Sequence, residues 1–174
     1  MLTLALLRHA KSSWDQPGLN DIDRPLNARG IAAAPVIGRE IARLKLNPDL
    51  ILCSTAKRTR ETLALALPKA AAGATPVLFE EALYMASAER LIERLQRVPG
   101  NTRTVLLIGH NPSLHNLALA LAGRGEPDSL KSLADAFPTG ALAILEFDAA
   151  DWHGLATGQG RLVHFTTPRR LSAA

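Results

Sequence analysis

Short apolar runs alternate with longer helical segments along the whole chain, and this alternation is the feature that most constrains the fold. The predicted strands are Leu2–Leu7, Pro48–Ser54, 75–80, Thr104–His110 and 141–147, with 161–166 as a candidate sixth strand at the edge of the sheet. Helices are predicted over Ala28–Leu44, Ala56–Leu67, Ser87–Val98 and 111–122. Strands that alternate with helices predict a three-layer α/β/α sandwich around a mainly parallel central sheet.

Cap and turn residues delimit these elements. Asn27 is a candidate N-cap, and Asn111-Pro112 predicts a second N-cap followed by proline at the first helical position. Gly123 to Asp135 is predicted to be a loop, and Gly154 to Gly160 a turn. The 174 residues suit one domain spanning 1–174, and the short connections leave no room for a large cap insertion.

Composition excludes several functions. The net charge is only +4 and no basic run contains interleaved aromatic residues, so no nucleic-acid partner is expected. No apolar stretch approaches the ~20 residues of a membrane span. The start of the chain lacks the features of a secretory leader, and the single cysteine, Cys53, fits a reducing compartment, so a cytoplasmic location is expected. The oligomeric state is left open.

No metal or other cofactor is expected. His110 and His115 are five residues apart, which does not place them on one helical face, and there is no second cysteine. Cys53 lies inside an apolar run and is interpreted as a core residue. Arg169 and Arg170 are interpreted as part of a solvated tail, with contact to the substrate as the alternative.

Cationic side chains follow three of the predicted strands where each one ends. The first strand ends in Arg8-His9, the second in Ser54 with Arg58 shortly after it, and the fourth in His110. Each residue alone also fits an ordinary ion pair or turn contact. Because parallel strands end at one edge of a sheet, however, these groups are expected to converge. Two guanidiniums can bind a phosphate, and a neutral imidazole can attack its phosphorus.

The sequence around these residues is similar to a known family. The segments "LLRHAKSSW", "STAKRTRET" and "GHNPSLHNLALALAG" resemble motifs of the histidine phosphatase, or phosphoglycerate mutase-like, superfamily. "DIDRPLNARG", "FPTGALAILEF" and "TPRRL" also resemble its SixA-type phosphohistidine phosphatase branch. Ala10 stands where the family usually has glycine. The resemblance covers nearly the whole chain and implies the histidine phosphatase fold.

The resemblance also implies roles for individual residues. His9 would be the nucleophile that becomes phosphorylated, and Arg8, Arg58 and His110 would complete the phosphate pocket. Ser12 stands where family members often place a polar neighbour of the phosphate.

Asp15 stands where many mutases have an asparagine that contacts the substrate. The remaining positions concern the general acid. Glu81 is the favoured acid, with Glu80 or no acid at all as alternatives, and Asp21 and Asp23 are further candidates.

These features predict a metal-independent phosphatase that acts through a phosphohistidine intermediate on His9. The resemblance to the SixA-type branch makes phosphohistidine in proteins the leading substrate class, and a site without a large cap would admit a phosphorylated protein side chain or small phosphate esters. Two alternatives stay open at this point. The first is a phosphatase or mutase that acts on small phosphorylated metabolites, and the second is a phosphate-binding module with little turnover.

Overall fold

All 174 residues are described by the structure, a computed structural model, and its strands form one seven-stranded sheet. The strands are β1 (Leu2–Arg8), β2 (Leu50–Ser54), β3 (Val77–Glu80), β4 (Thr104–Gly109), β5 (Ala122–Gly125), β6 (Leu142–Phe147) and β7 (Gly160–Thr166). Their order in the sheet is β3-β2-β4-β1-β6-β7-β5. Only β6 is antiparallel to its neighbours, which confirms the predicted mainly parallel sheet.

Six α-helices connect or follow the strands. They are α1 (Ala28–Arg43), α2 (Lys57–Ala66), α3 (Ala88–Gln96), α4 (Ser113–Leu121), α5 (Pro127–Asp135) and α6 (Pro168–Ala173). The Asn27 side chain accepts the Gly30 N–H at 2.9 Å, so the predicted N-cap of α1 is confirmed. No helix combines the length and apolar character needed to cross a membrane.

The helices cover both faces of the sheet because successive side chains of each strand point to opposite faces. Leu4 and Leu6 of β1 belong to a core with residues of α3, α4 and α5. Ala5 and Leu7 belong to a second core with residues of α1 and α2, against which Leu171 of α6 packs. Burial on both faces explains why the strands are continuous apolar runs rather than alternating ones.

The predicted loop from Gly123 to Asp135 is wrong, because this segment forms β5 and α5. Glycine signals a loop in a sequence, but Gly123 serves close packing: a Cβ there would lie 1.8 Å from the Gly158 carbonyl oxygen. Pro127 opens α5, and the Glu126 side chain accepts the Asp128 and Ser129 N–H groups. As β5 occupies the edge of the sheet, β7 is not the edge strand that its sequence predicts.

Asn111 also differs from the prediction. It does not cap α4, which begins at Ser113, and the Asn111–Pro112 peptide bond is cis. The Asn111 side chain instead donates a hydrogen bond to the Phe137 carbonyl at 2.7 Å. This contact ties the start of α4 to the segment that precedes β6.

Candidate active site

The carboxyl ends of β1, β2 and β4 lie at the same level of the sheet. Arg8 pairs with Gly109, and Cys53 pairs with Ile108, so the residues that follow these strands emerge together. The His9 and His110 ring centroids are 5.3 Å apart. Arg58, in the first turn of α2, places Nη2 3.3 Å from His110 Nδ1. We call Arg8, His9, Arg58 and His110 the strand-end cluster.

Arg8 is anchored by the segment between α5 and β6. Its Nη1 donates to the Phe137 carbonyl at 3.1 Å, the same carbonyl that Asn111 binds. Burial lowers the Arg8 pKa, and the charge of Arg58 lowers it further. Two cations are therefore held near each other, an arrangement that favours an anion between them.

Gly140 supports the backbone of the cluster. Its N–H lies 3.1 Å from the Arg8 carbonyl oxygen and 3.0 Å from that of His9. The residue has φ of +74°, and a Cβ would lie 2.6 Å from the Pro168 side chain. A larger residue would therefore displace the loop that positions Arg8 and His9.

His9 is held as a neutral ring with a defined tautomer. Burial is the main cause that lowers its pKa to about 3, and His110 and the two arginines lower it further. The ring is therefore unprotonated near neutral pH, with one N–H. Nδ1 lies 2.7 Å from the Ala10 carbonyl oxygen, which only accepts hydrogen bonds, so this nitrogen carries the proton. Nε2 keeps its lone pair and can act as a nucleophile.

Ala10 occupies the position where the family usually has glycine. It is buried, and its methyl group lies in a small cluster with Leu26 and Ala34. Its N–H donates to Thr62 Oγ1 at 3.0 Å, while its carbonyl binds His9. Thr62 in turn donates to the Arg58 carbonyl. The backbone of Ala10 thus connects His9 to α2.

His110 is also neutral, with the opposite tautomer. Burial and the charge of Arg58 lower its pKa to about 4. Its Nδ1 accepts from Arg58, so the proton lies on Nε2, which donates to Ser54 Oγ at 2.8 Å. The end of β2 therefore orients the His110 ring towards His9.

One carboxylate binds a member of the strand-end cluster, and it is that of Asp21. Arg58 donates to the Asp21 carboxylate at 2.9 Å and to its carbonyl at 2.6 Å. Tyr84 donates to the same carboxylate at 2.5 Å, and Arg24 donates to it at 3.0 Å. These donors, Tyr84 foremost, lower the Asp21 pKa to about 2. Asp21 is therefore ionised at neutral pH and cannot supply a proton.

The other predicted residues lie outside this network or at its margin. Ser12 is buried and accepts from Arg24 at 3.0 Å, so it reaches the cluster only through Arg24 and Asp21. Glu80 forms an ion pair with Arg94 at 2.7 Å. Glu81 is exposed and shares no hydrogen bond with the cluster, so the structure does not bring the favoured acid to His9.

The sequence interpretation underestimated Asp21 and missed its partners. Asp15 and Asp23 are exposed, whereas Asp21 binds Arg24, Arg58 and Tyr84. The spacing of Asp21 and Arg24, three residues apart on a helical turn, was a detectable signal. Nothing in the sequence pairs Tyr84 with a residue 63 positions earlier.

No group of three or more histidine, cysteine, aspartate or glutamate side chains is placed to hold a metal ion. Burial raises the pKa of the Cys53 thiol to about 12, so this cysteine stays protonated in the core. The strand-end cluster itself consists of two guanidiniums and two neutral imidazoles, one of which has an unprotonated Nε2.

Comparisons with known proteins agree with this geometry. A sequence model of the histidine phosphatase superfamily (branch 1) matches residues 4–84. Protein Rv1276c of Mycobacterium tuberculosis is 37% identical over 165 residues, covering 94% of this chain and 100% of that protein. A structure from Agrobacterium tumefaciens assigned as the phosphohistidine phosphatase SixA is 33% identical, with a TM-score of 0.80 over 96% of this chain and 98% of the other.

A second structure assigned as SixA, from Nakamurella multipartitia, is 29% identical, with a TM-score of 0.81 over 96% of each chain. The fold is that of a histidine phosphatase. The chain belongs to the histidine phosphatase superfamily, in its SixA-type branch.

Proposed function

We propose that this protein is a metal-independent phosphatase that removes phosphoryl groups from phosphohistidine through an intermediate on His9. The observation that carries the proposal is the 2.7 Å contact from His9 Nδ1 to the Ala10 carbonyl, which leaves Nε2 unprotonated. Similarity to proteins assigned as SixA supports the choice of substrate class.

The first chemical step forms one bond to phosphorus and breaks another. His9 Nε2 attacks the phosphoryl group, the bond to the substrate nitrogen breaks, and the substrate imidazole leaves with the electron pair. Arg8 and Arg58 stabilise the charge on the phosphoryl oxygens as they become equatorial. His110 lies beside His9 and can donate a further hydrogen bond once its Nε2–H turns from Ser54 to the phosphate.

The second step returns the enzyme to its starting state. Water attacks the phosphorus of phospho-His9, the Nε2–P bond breaks, and inorganic phosphate leaves with the proton that water released. The hydrogen bond to Ala10 keeps the proton on Nδ1, so the ring departs from phosphorus as neutral imidazole. This leaving group needs no additional acid.

The state of the carboxylates favours a nitrogen leaving group over an alkoxide. An alkoxide must be protonated as it leaves, which requires a carboxylic acid that is still protonated. Asp21 is ionised because its pKa is about 2, and Glu80 is bound by Arg94. A protonated phosphoimidazole already carries the proton that its leaving group needs. The site therefore suits phosphohistidine better than phosphoserine or a sugar phosphate.

The decisive experiment is intact-protein mass spectrometry after brief incubation with phosphoramidate, kept at alkaline pH to preserve N–P bonds. We expect one phosphoryl group on His9, and none in His9→Asn. In the same variant, release of phosphate from a phosphohistidine peptide should fall roughly 10³-fold or more, because no other group replaces the nucleophile.

His153→Asn is the matched control, because His153 is exposed and lies outside the cluster. An adduct that persists in His9→Asn would show that His9 is not the nucleophile. Hydrolysis of phosphoserine or sugar phosphates faster than of phosphohistidine would contradict the proposed substrate. Tight phosphopeptide binding with no adduct and no phosphate release would indicate a binding module instead.

A further inference from the structure

A separate pocket of about 300 Å³ lies beside the strand-end cluster. It is bounded by the start of α1, the segment before β6 and the start of α6. Its lining consists of three cations, two threonines and three small apolar residues: Lys11, Arg29, Arg169, Thr139, Thr167, Ala33, Pro138 and Pro168. We call it the basic pocket.

The charge in the basic pocket is unbalanced. No aspartate or glutamate lines it, and Lys11, Arg29 and Arg169 take part in none of the salt bridges of the structure. Elsewhere Arg43, Arg94 and Arg161 each face a glutamate, whereas no carboxylate lines this pocket. Three unpaired cations around one concavity attract an anion.

The topology places the basic pocket at the same edge of the sheet as His9. Lys11 follows β1, Thr167 follows β7, and Thr139 precedes the antiparallel β6. Lys11 is two residues from His9, so their Cα atoms are at most about 7 Å apart. The 138–140 segment separates the two sites, since Thr139 lines the pocket and Gly140 N–H binds the His9 carbonyl.

The lining indicates which kind of anion fits. Ala33, Pro138 and Pro168 contribute apolar surface, while the charges lie on long flexible side chains. The hydrogen-bond donors of the pocket are the cationic and threonine side chains, which bind a phosphate or a carboxylate, whereas the prolines add only apolar surface. A carboxylate on an aliphatic side chain matches both the apolar and the cationic residues of the pocket. Its methylenes contact the apolar residues, and its oxygens accept hydrogen bonds from the guanidiniums.

We propose that the basic pocket binds an acidic side chain of the protein substrate, next in space to the phosphohistidine that occupies the strand-end cluster. This inference rests on the proposed function, and it adds a specificity site to it. Arg29 and Arg169 select phosphohistidines with acidic neighbours and take no part in the chemistry. Arg169, an exposed residue of α6, would then contact the substrate, which is the alternative to a solvated tail.

The test compares two phosphohistidine peptides that differ only in flanking residues, glutamate in one and glutamine in the other. Wild-type protein should hydrolyse the acidic peptide with the higher kcat/KM. In Arg29→Gln/Arg169→Gln, kcat/KM for the acidic peptide should fall about fivefold, mainly through KM, since exposed ion pairs contribute modestly. The glutamine peptide and free phosphohistidine should change less than about twofold.

The matched control is Arg39→Gln/Arg90→Gln, which removes two exposed arginines outside the basic pocket. It distinguishes a local pocket from the general attraction of a protein with a net charge of +4. Equal losses in both double variants, or no wild-type preference for the acidic peptide, would overturn the inference. A wild-type protein that hydrolyses neither peptide nor free phosphohistidine would instead overturn the proposed function.

Discussion

Two groups of charged and histidine side chains differ in charge balance. At the interface of α1 and β7, Glu40 contacts Arg43 at 2.8 Å and His164 at 3.0 Å. In the strand-end cluster, by contrast, His9 has only cations and another histidine around it. Burial lowers the pKa of both His164 and His9, but Glu40 partly offsets the effect for His164.

This difference separates a structural contact from a binding site. A buried carboxylate that already has an arginine and a histidine as partners is satisfied and joins two elements of the fold. A cluster of cations without an equal number of anions lowers the stability of the folded protein, and a bound anion restores that stability. Asp21 offsets part of that charge from the solvent side, where its side chain is 44% exposed.

The largest effect should come from removing a cation from the strand-end cluster. Arg58→Ala should reduce kcat/KM for a phosphohistidine peptide about 10²- to 10³-fold, because one donor to the phosphoryl oxygens is lost. Arg58→Lys should restore little, since a point charge does not reproduce two parallel donors. Steady-state kinetics measure this effect. His164→Gln, at the α1–β7 contact, is the control and should keep its activity. If it lost as much activity as Arg58→Ala, the two groups of side chains would not differ in function.

Lowering the pH should reduce the stability of the folded protein, because the strand-end cluster holds its histidines unprotonated. An unfolded histidine titrates near about 6.5, whereas folding lowers the pKa of His9 to about 3. Between these values the unfolded chain binds more protons, so stability decreases as pH falls. From about pH 6.5 to about pH 5 the loss due to His9 is about 2 kcal/mol. Asp21 contributes only at lower pH, because its pKa is about 2.

Urea denaturation across this pH range measures the loss. His9→Asn should reduce the slope of stability with pH, because asparagine does not titrate, while the part due to His110, whose pKa is also lowered, remains. His153→Asn, which removes an exposed histidine outside the cluster, is the control. The comparison uses the slope with pH, so an overall change in stability of the variant does not obscure it. A slope that is the same in wild type and His9→Asn would show that His9 is not held neutral by folding.

Much of this site follows from the sequence because strand ends are visible in it. The apolar runs end at Arg8, Ser54 and His110, and the parallel register brings these ends to one edge of the sheet. Asp21 and Tyr84 were harder to place, because they lie on connections whose path depends on tertiary packing. The 122–135 segment was misread because glycine marks both loops and close packing, and only the neighbouring backbone distinguishes them.

A smaller effect is expected at the α1–β7 contact. Glu40→Gln keeps the shape of the side chain but removes the charge that faces Arg43 and His164. The variant should lose about 1 kcal/mol of unfolding free energy and keep its activity, since the contact is remote from the strand ends. Urea denaturation and peptide hydrolysis measured on one preparation test both parts. If the variant lost more activity than its unfolded fraction accounts for, the α1–β7 contact would belong to the active site.

The smallest expected effect concerns Asp21, whose negative charge partly neutralises the cations of the strand-end cluster. Tyr84→Phe removes the hydrogen bond that contributes most to the low Asp21 pKa. The pKa should rise towards that of an ordinary aspartate, which NMR titration can follow, yet Asp21 stays ionised at neutral pH. Phosphohistidine hydrolysis should therefore change only about threefold, the effect of one hydrogen bond. Asp21→Asn, which removes the charge itself, is the matched comparison. If Tyr84→Phe instead abolished activity, the tyrosine would act on the substrate directly. Its contact with Asp21 would then not be explained by the charge of that carboxylate.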